Sequence, residues 1–341
     1  MSDDEDDEDL PWFVRPVEPE EDDAAKPTSR STSEAGTLEG WRAAEAANAS
    51  ALARAAAALA RLDERGRMGA PIGRLTARFA AELMRRDGRM IRAETLAAHA
   101  LGAAPEAASV TGDERYRAGR WIMRRLERRA TFEGTPDIRS WLGWTASART
   151  PEAALRAAIP RAAGADERIA RWLALREELS PLHPLTRAAA LGREWAREGP
   201  ASPDQALIAA LVAAKAGGET VGAAGAPFTP AAFRFPLRPR AAARDLADWL
   251  AAAEDGALAA LRELTRIAEW RGWALAAVSG APRAALVEAF AAHHALSVEM
   301  AAREIGKSNR RARELIGEAE AAGLAREITG GASFRFWTAR L

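Results

Sequence analysis

The stretch Ser297–Ala322, SVEMAAREIGKSNRRARELIGEAEAA, decides the fold. Ser297 is a residue type that caps helix N-termini. Val298, Ala301, Ala302 and Ile305 then recur at i, i+3, i+4 and i+7, which makes one apolar stripe on a helix. Gly306 suits the left-handed residue that ends such a helix. Ser308 caps a second helix that runs to about Ala322, where Gly323 stops it. Its inner face is Ala312, Leu315, Ile316 and Ala319. Its outer face begins with Asn309, Arg310, Arg313, Glu314 and Gly317, with Lys307 and Arg311 beside them.

The flanks complete the pattern. Upstream, Leu286, Val287, Phe290 and Ala291 give another helix one buried stripe. Downstream, Leu324, Arg326 and Ile328 alternate, Gly330 and Gly331 supply a turn, and Phe334, Arg335, Phe336 and Trp337 return. That is a hairpin signal. Helix, helix, turn, helix and hairpin, in that order over residues 284–341, predict a winged helix-turn-helix. The run from Leu315 to Gly330, LIGEAEAAGLAREITG, also resembles the end of many bacterial winged-helix domains.

Such motifs put the N-terminal part of the second helix into the major groove of duplex DNA. Double-stranded DNA is therefore the expected partner, and transcriptional regulation the expected role. Asn309, Arg310, Arg313 and Glu314 are the candidates for base edges. Ser308 is a cap and a phosphate contact, and Lys307, Arg311 and Arg335 are further phosphate contacts. A homodimer fits the same reading, because one short helix reads few base pairs and a symmetric pair doubles the site. The competing reading is a three-helix core with a cap hairpin that contacts protein, as in a scaffold or an antitoxin-like partner.

Composition sets the outer bounds. The 341 residues allow two ordinary domains, and the chain is rich in alanine and arginine, with 11 Trp, one Tyr and no Cys. Without cysteine there is no disulfide scaffold and no thiolate metal site, which fits a reducing interior. Alanine favours helix and β-branched residues are sparse, so a mostly α fold is expected. No apolar run approaches the roughly 20 residues that span a bilayer. The acidic N-terminus is unlike a basic signal peptide. A cytoplasmic protein without a membrane partner is the expectation.

The formal net charge of zero hides an asymmetry. Residues 1–23 hold 12 acids and one base, Arg15, so residues 24–341 carry 47 bases against 36 acids, a net of +11. An acidic arm on a basic body is either a solubilising tail or a competitor for DNA phosphates on the basic face. Residues 1–40 lack helical periodicity and are rich in Asp, Glu, Pro, Ser and Thr, which predicts disorder. Leu10 to Val14, LPWFV, is an apolar island there, either a docking motif or a segment that packs on the body.

Residues 41–278 read as a helical domain. Trp41 to about Arg65 predicts one long helix with Leu52, Ala55, Ala56, Leu59 and Leu62 inward. Further helices are expected over Ile72–Arg86, Thr95–Leu101, Asp113–Arg129, from Pro151, and over Ala165–Leu179, Pro184–Trp195 and Asp204–Ala216. Asp245–Val278 carries one or two more. Residues 217–240 are Gly- and Pro-rich and predict a long loop. The basic run Arg117, Arg120, Arg124, Arg125, Arg128 and Arg129 is a second possible phosphate surface or a solvated face.

Leu182 to Ala189, LHPLTRAA, and the chain through Ala213 resemble part of the Fic fold, where an L-H-P-L-x-x-A-A helix precedes the catalytic loop. Fic enzymes transfer AMP or a related phosphate-containing group to a protein hydroxyl, using a loop H-P-F-x-x-G-N-G-R. The His is the general base, and the remainder cradles phosphates at a helix N-terminus. Here the corresponding stretch, Arg197 to Leu207, reads REGPASPDQAL, without that His and without G-N-G-R. The resemblance therefore implies a degenerate Fic-like fold in which AMP transfer is not supported, with a Fic-like nucleotidyl transferase of displaced catalytic groups as the second alternative, and His183 is a helix-start residue. The layout over residues 50–341 is similar to an uncharacterised bacterial family that joins such a domain to a C-terminal helix-turn-helix. Leu59 to Arg65, LARLDER, is similar to that family's first helix.

Other chemistry is not expected: no catalytic residue, no cofactor and no metal. His293 and His294 are adjacent, so on a helix they diverge by about 100° and chelate one ion poorly. They read as exposed helix-end residues. Gly217-Gly218 and Gly222–Gly225 lack the Lys-Ser/Thr of a phosphate loop, and Gly306-Lys307-Ser308 lacks its upstream glycine. The tryptophans read as core anchors.

Overall fold

Alanine's helix preference shows throughout the computed structural model. It describes residues 37–71, 73–86, 88, 90–102, 110–127, 132–142, 164–200, 208–213, 215–216, 233, 235–236, 240–330 and 335–341. The described chain is mostly helical, with one small three-stranded antiparallel sheet near the C-terminus. Expectations for the acidic arm to residue 36, the helix from Pro151, the loop glycines 217–225 and the hairpin residues Gly331 and Phe334 lie outside the described residues.

The first helices are α1 (Leu38–Ala47), α2 (Ala49–Arg67), α3 (Gly73–Arg86), α4 (Ala93–Ala100), α5 (Val110–Glu127) and α6 (Thr135–Leu142). Then come α7 (Ala165–Glu178), α8 (Pro184–Glu198) and α9 (Ala242–Ala277). Thr37 caps α1 by accepting from the Gly40 amide at 3.1 Å, so residues 38–40 are helical and not part of a disordered arm. The single helix expected over 41–65 is two. Asn48 lies between them, and its side-chain amide donates to the carbonyls of Ala44 (2.9 Å) and Ala243 (3.0 Å). Asparagine competes with the backbone for helical hydrogen bonds, and here a partner on α9 decides the contest.

Of residues 245–278, read as one or two helices, 245–277 belong to one and Val278 is its extended C-cap. At 36 residues and 1.5 Å per residue, α9 is about 54 Å long. Leu246, Trp249, Leu250, Ala253, Ala257 and Ala260 form its buried stripe, with α1, α2 and α8 packed along it. The close approach of α8 to residues 208–216 depends on Gly192. A Cβ there would sit 2.5 Å from Ala213 Cβ and 2.5 Å from Phe235 Cε2. A ladder of edge-to-face rings, Trp121–Trp141–Phe132–Trp172–Trp195, ties α5 through α6 and α7 to α8. Trp273 departs from the expected core role, with 56 % of its surface exposed.

One charged cluster lies inside this packing. Arg193 on α8 and Asp245 on α9 are almost fully buried and pair at 3.3 Å, while Arg240 meets the other Asp245 oxygen at 2.7 Å. Burial lowers the Arg193 pKa, and Asp245 partly offsets that shift.

The C-terminal part continues from this packing. It comprises α10 (Ala281–Ala292), β1 (Leu296–Ser297), α11 (Val298–Ile305), α12 (Asn309–Ala321), β2 (Ala325–Glu327) and β3 (Phe336–Ala339). Gly280 precedes α10, so Ala281 and Pro282 belong to the helix, with proline in its first turn. The sheet order is β1-β3-β2, with Leu296 opposite Trp337 and Glu327 also opposite Trp337. The strand β1 is an addition to the expected hairpin.

All four residues of β3 are buried, because the sheet is covered on both faces. Trp337 and Ala339 point into the cluster of α10, α11 and α12, whereas Phe336, on the opposite face, joins the core of the preceding helices. Leu62, Leu75 and Phe79 of α2 and α3 enter the first of these clusters, so packing is continuous across Ser279-Gly280. Among the described residues no helix is long and apolar enough to cross a membrane.

Candidate functional site

The exposed face of α12 is positioned by local chemistry at both ends of the turn before it. Ser297 Oγ accepts from the Met300 amide at 3.2 Å, which starts α11. Gly306 ends it at φ 62°, and the Lys307 amide donates back to the Ala302 carbonyl at 3.0 Å. Ser308 Oγ then accepts from the Arg311 amide at 3.3 Å and starts α12. Turn and caps fix the angle between two short helices, and Ala301, Ala302, Ile305, Ala312, Leu315, Ile316 and Ala319 seal the space between them.

The sequence-predicted residues fall into two groups. Lys307, Ser308, Asn309, Arg310, Arg313 and Glu314 are all exposed on one side of α12 and its preceding turn. Arg310 projects into solvent, with 91 % of its side chain accessible. Arg335 is instead on the hairpin. Its guanidinium pairs with Glu327 across the two strands and lies 5.1 Å from the Trp337 ring centre. Arg335's hydrogen bond holds the Glu327 carboxyl below its ordinary range.

Ion pairs sort the cations further. Glu314 accepts from Arg311 Nη1 at 2.9 Å and Arg310 Nε at 3.3 Å, and these hydrogen bonds, Arg311's foremost, lower its pKa. Glu318, one turn on, meets Arg311 at 3.8 Å and Arg283 of α10 at 2.7 Å. The result is an alternating chain Arg283–Glu318–Arg311–Glu314–Arg310 along the side of α12. Among the described residues Arg303, Lys307 and Arg313 make no ion pair. Arg303, exposed in the last turn of α11 beside Lys307, was not among the predicted residues. The stripe Ala301, Ala302, Ile305 could have found it, because that stripe turns Arg303 outward.

The hairpin is clamped. Arg326 of β2 pairs with Glu94 of α4 at 2.7 Å, and Ile328 packs against the core of the preceding helices. The basic run on α5 is partly internal, since Arg125 is buried with its guanidinium 4.8 Å from the Trp121 ring centre. Arg124 is exposed, and Arg128 and Arg129 lie outside the described residues.

The histidines correct one expectation. His294 is not an exposed helix-end residue. Its Nε2 is sealed from solvent without a hydrogen-bond partner, and burial, aided by the charge of Arg74, pushes its pKa down to about 3. His183 stands at the start of α8, where Nδ1 accepts from the Leu185 amide at 3.1 Å and its own amide donates to Glu45 at 2.9 Å. Burial lowers its pKa, so it favours the neutral form that caps the helix. Residues 201–207 of the loop after α8 lie outside the described residues.

Chemically, the α12 face offers guanidinium, ammonium and carboxamide donors on a rigid helix, with one carboxylate among them. Such a set recognises hydrogen-bond acceptors and anions. No protein-family model and no curated protein matches the chain.

Proposed function

We propose that residues 281–341 form a winged helix-turn-helix that binds duplex DNA, and that the protein is a transcriptional regulator. One observation carries this reading: the outer face of the N-terminal half of α12 is exposed and presents Asn309, Arg310 and Arg313, with Arg303 and Lys307 beside it. A helix aimed this way, sealed on its inner face and following a short turn, has the form that enters a major groove. Unpaired cations flanking the reading face would neutralise backbone phosphates.

The preceding helices belong to this proposal as a degenerate Fic-like body that acts by binding, without catalysis. The stretch after α8 lacks the His and the G-N-G-R that transfer of a nucleotide would require. A cytoplasmic homodimer is the proposed state, since two copies would read two half-sites.

The test is selection from random duplex DNA by the full chain at two salt concentrations, followed by sequencing of what is retained. Enriched half-sites with a steep loss of affinity at higher salt are expected. No retention at low salt, by the full chain or by a chain lacking residues 1–36, overturns the reading and makes the α12 face a protein-binding surface.

A further inference from the structure

The face of α12 carries a carboxylate where phosphate contact alone would favour none. Glu314 stands in the same exposed stripe as Arg310 and Arg313. Gly317, the next residue along that stripe, has nothing within 4 Å of where a Cβ would lie. The helix surface beyond Glu314 is therefore bare, and a groove floor can approach it closely. An ionised carboxylate there repels every phosphate and every base-edge acceptor, so it is tolerated only opposite a donor. The major-groove donors are the N4 amino group of cytosine and the N6 amino group of adenine. Adenine sets its N7 acceptor beside N6, which opposes the second carboxylate oxygen.

The ion pair supplies the rest of the match. Arg310 Nε donates to Glu314 Oε1 at 3.3 Å, so the two side chains stand together, one helical turn apart. Guanidinium and carboxylate in a row offer donor, donor, acceptor. A G·C pair offers the complement across its major-groove edge: N7 and O6 of guanine accept, and N4 of cytosine donates. Arg311 on the other side of Glu314, at 2.9 Å, holds the carboxylate in place.

We propose that Arg310 and Glu314 recognise one G·C base pair as a unit, Arg310 on guanine and Glu314 on cytosine. Glu314 sets the specificity by rejecting edges that lack a donor. The inference rests on α12 being the groove-reading helix of the preceding section. Because Glu314 is a repulsive element elsewhere, its removal strengthens binding to unrelated duplexes while it weakens discrimination.

The experiment compares the full-length wild type with Glu314→Gln and Arg310→Ala, first by selection from random duplexes and then by titration of the enriched site. In wild type, changing the recognised G·C pair to A·T costs roughly tenfold or more in affinity. In E314Q that ratio falls to about threefold or less, and affinity for a random duplex rises several-fold. In R310A the ratio falls at the same base pair. Far-ultraviolet circular dichroism confirms that both variants fold. A folded E314Q with unchanged discrimination at every position overturns the inference and leaves DNA binding intact. Absence of any wild-type retention at low salt overturns the DNA reading itself.

Discussion

Arg74 on α3 donates from Nη1 to the carbonyl of Phe290, 2.7 Å away and 216 residues later, at the C-terminal end of α10. The same nitrogen reaches the His293 carbonyl at 2.7 Å. The last carbonyls of a helix have no intrahelical partner, and a cation at that end also meets the negative pole of the helix dipole. Arg74 is therefore the polar joint between the α3 layer and the helices that carry the α12 face. Burial lowers its pKa to about 10, opposed by Glu263 and Glu94, so it stays charged at neutral pH.

Replacing this joint has a defined cost. Arg74→Met keeps the stem and removes the donors, leaving the Phe290 and His293 carbonyls unsatisfied. Each such loss costs roughly 1–3 kcal/mol, so a total destabilisation of about 2–6 kcal/mol is expected. Urea denaturation measures it as a lower midpoint with an unchanged slope. A midpoint equal to that of wild type would show that water replaces the guanidinium.

The neighbouring His294 makes a pH prediction. Its folded pKa of about 3 lies below the ordinary 6.5, so between those values the unfolded chain binds a proton that the native chain refuses. Stability is then fully present above pH 6.5 and falls as the solution is acidified toward pH 3. Over the span from pH 7 to pH 5 the loss from this group approaches about 2 kcal/mol. His294→Leu removes the proton site, so the difference between variant and wild type should shift by that amount in the variant's favour at pH 5. Burial lowers the His183 pKa in the same direction, but that residue is common to both proteins and cancels in the comparison.

These joints also mark what the sequence could reveal. Ser297, Gly306 and Ser308 act through bonds that span three to five positions, and their chemistry is legible at once. The outer face of α12 followed from those caps and from the helical period. Asn48 acts through Ala243, Arg74 through Phe290, and Arg326 through Glu94, partners 195, 216 and 232 residues distant. No local period encodes such pairs. The hairpin signal was similarly correct about strands but silent about the cover on its outer face, because Phe336 has the same alternation whether it meets solvent or another core.

Asp245 gives a third prediction, from the interior. It pairs with Arg193 at 3.3 Å, and both side chains are almost fully buried. Asp245→Asn keeps the shape and removes the buried carboxylate charge facing Arg193 and Arg240, which costs about 3–5 kcal/mol. Arg193→Met combined with Asp245→Leu removes both charges and should recover most of that loss. Thermal or urea unfolding of the three variants checks the order, and a double variant no more stable than D245N would show that packing against Trp41 and Arg240 dominates.

The last prediction separates phosphate contact from base reading at the α12 face. Arg303 and Arg313 are exposed cations without an ion-pair partner among the described residues, but they stand on different helices. Arg303 is in the last turn of α11, beside the turn that leads to α12, where a groove-bound α12 would bring it to the backbone rather than to the bases. Arg313 is within the exposed stripe of α12 proposed to read bases. Arg303→Ala should therefore weaken binding by a similar factor on all duplexes and lower the salt slope by about 1. Arg313→Ala should cost about 1–3 kcal/mol on the selected site and much less on a random duplex. Titration of both variants against both duplexes at two salt concentrations makes the comparison. Equal losses for R313A on selected and random duplexes would move Arg313 to the backbone and leave Asn309, Arg310 and Glu314 as the reading set.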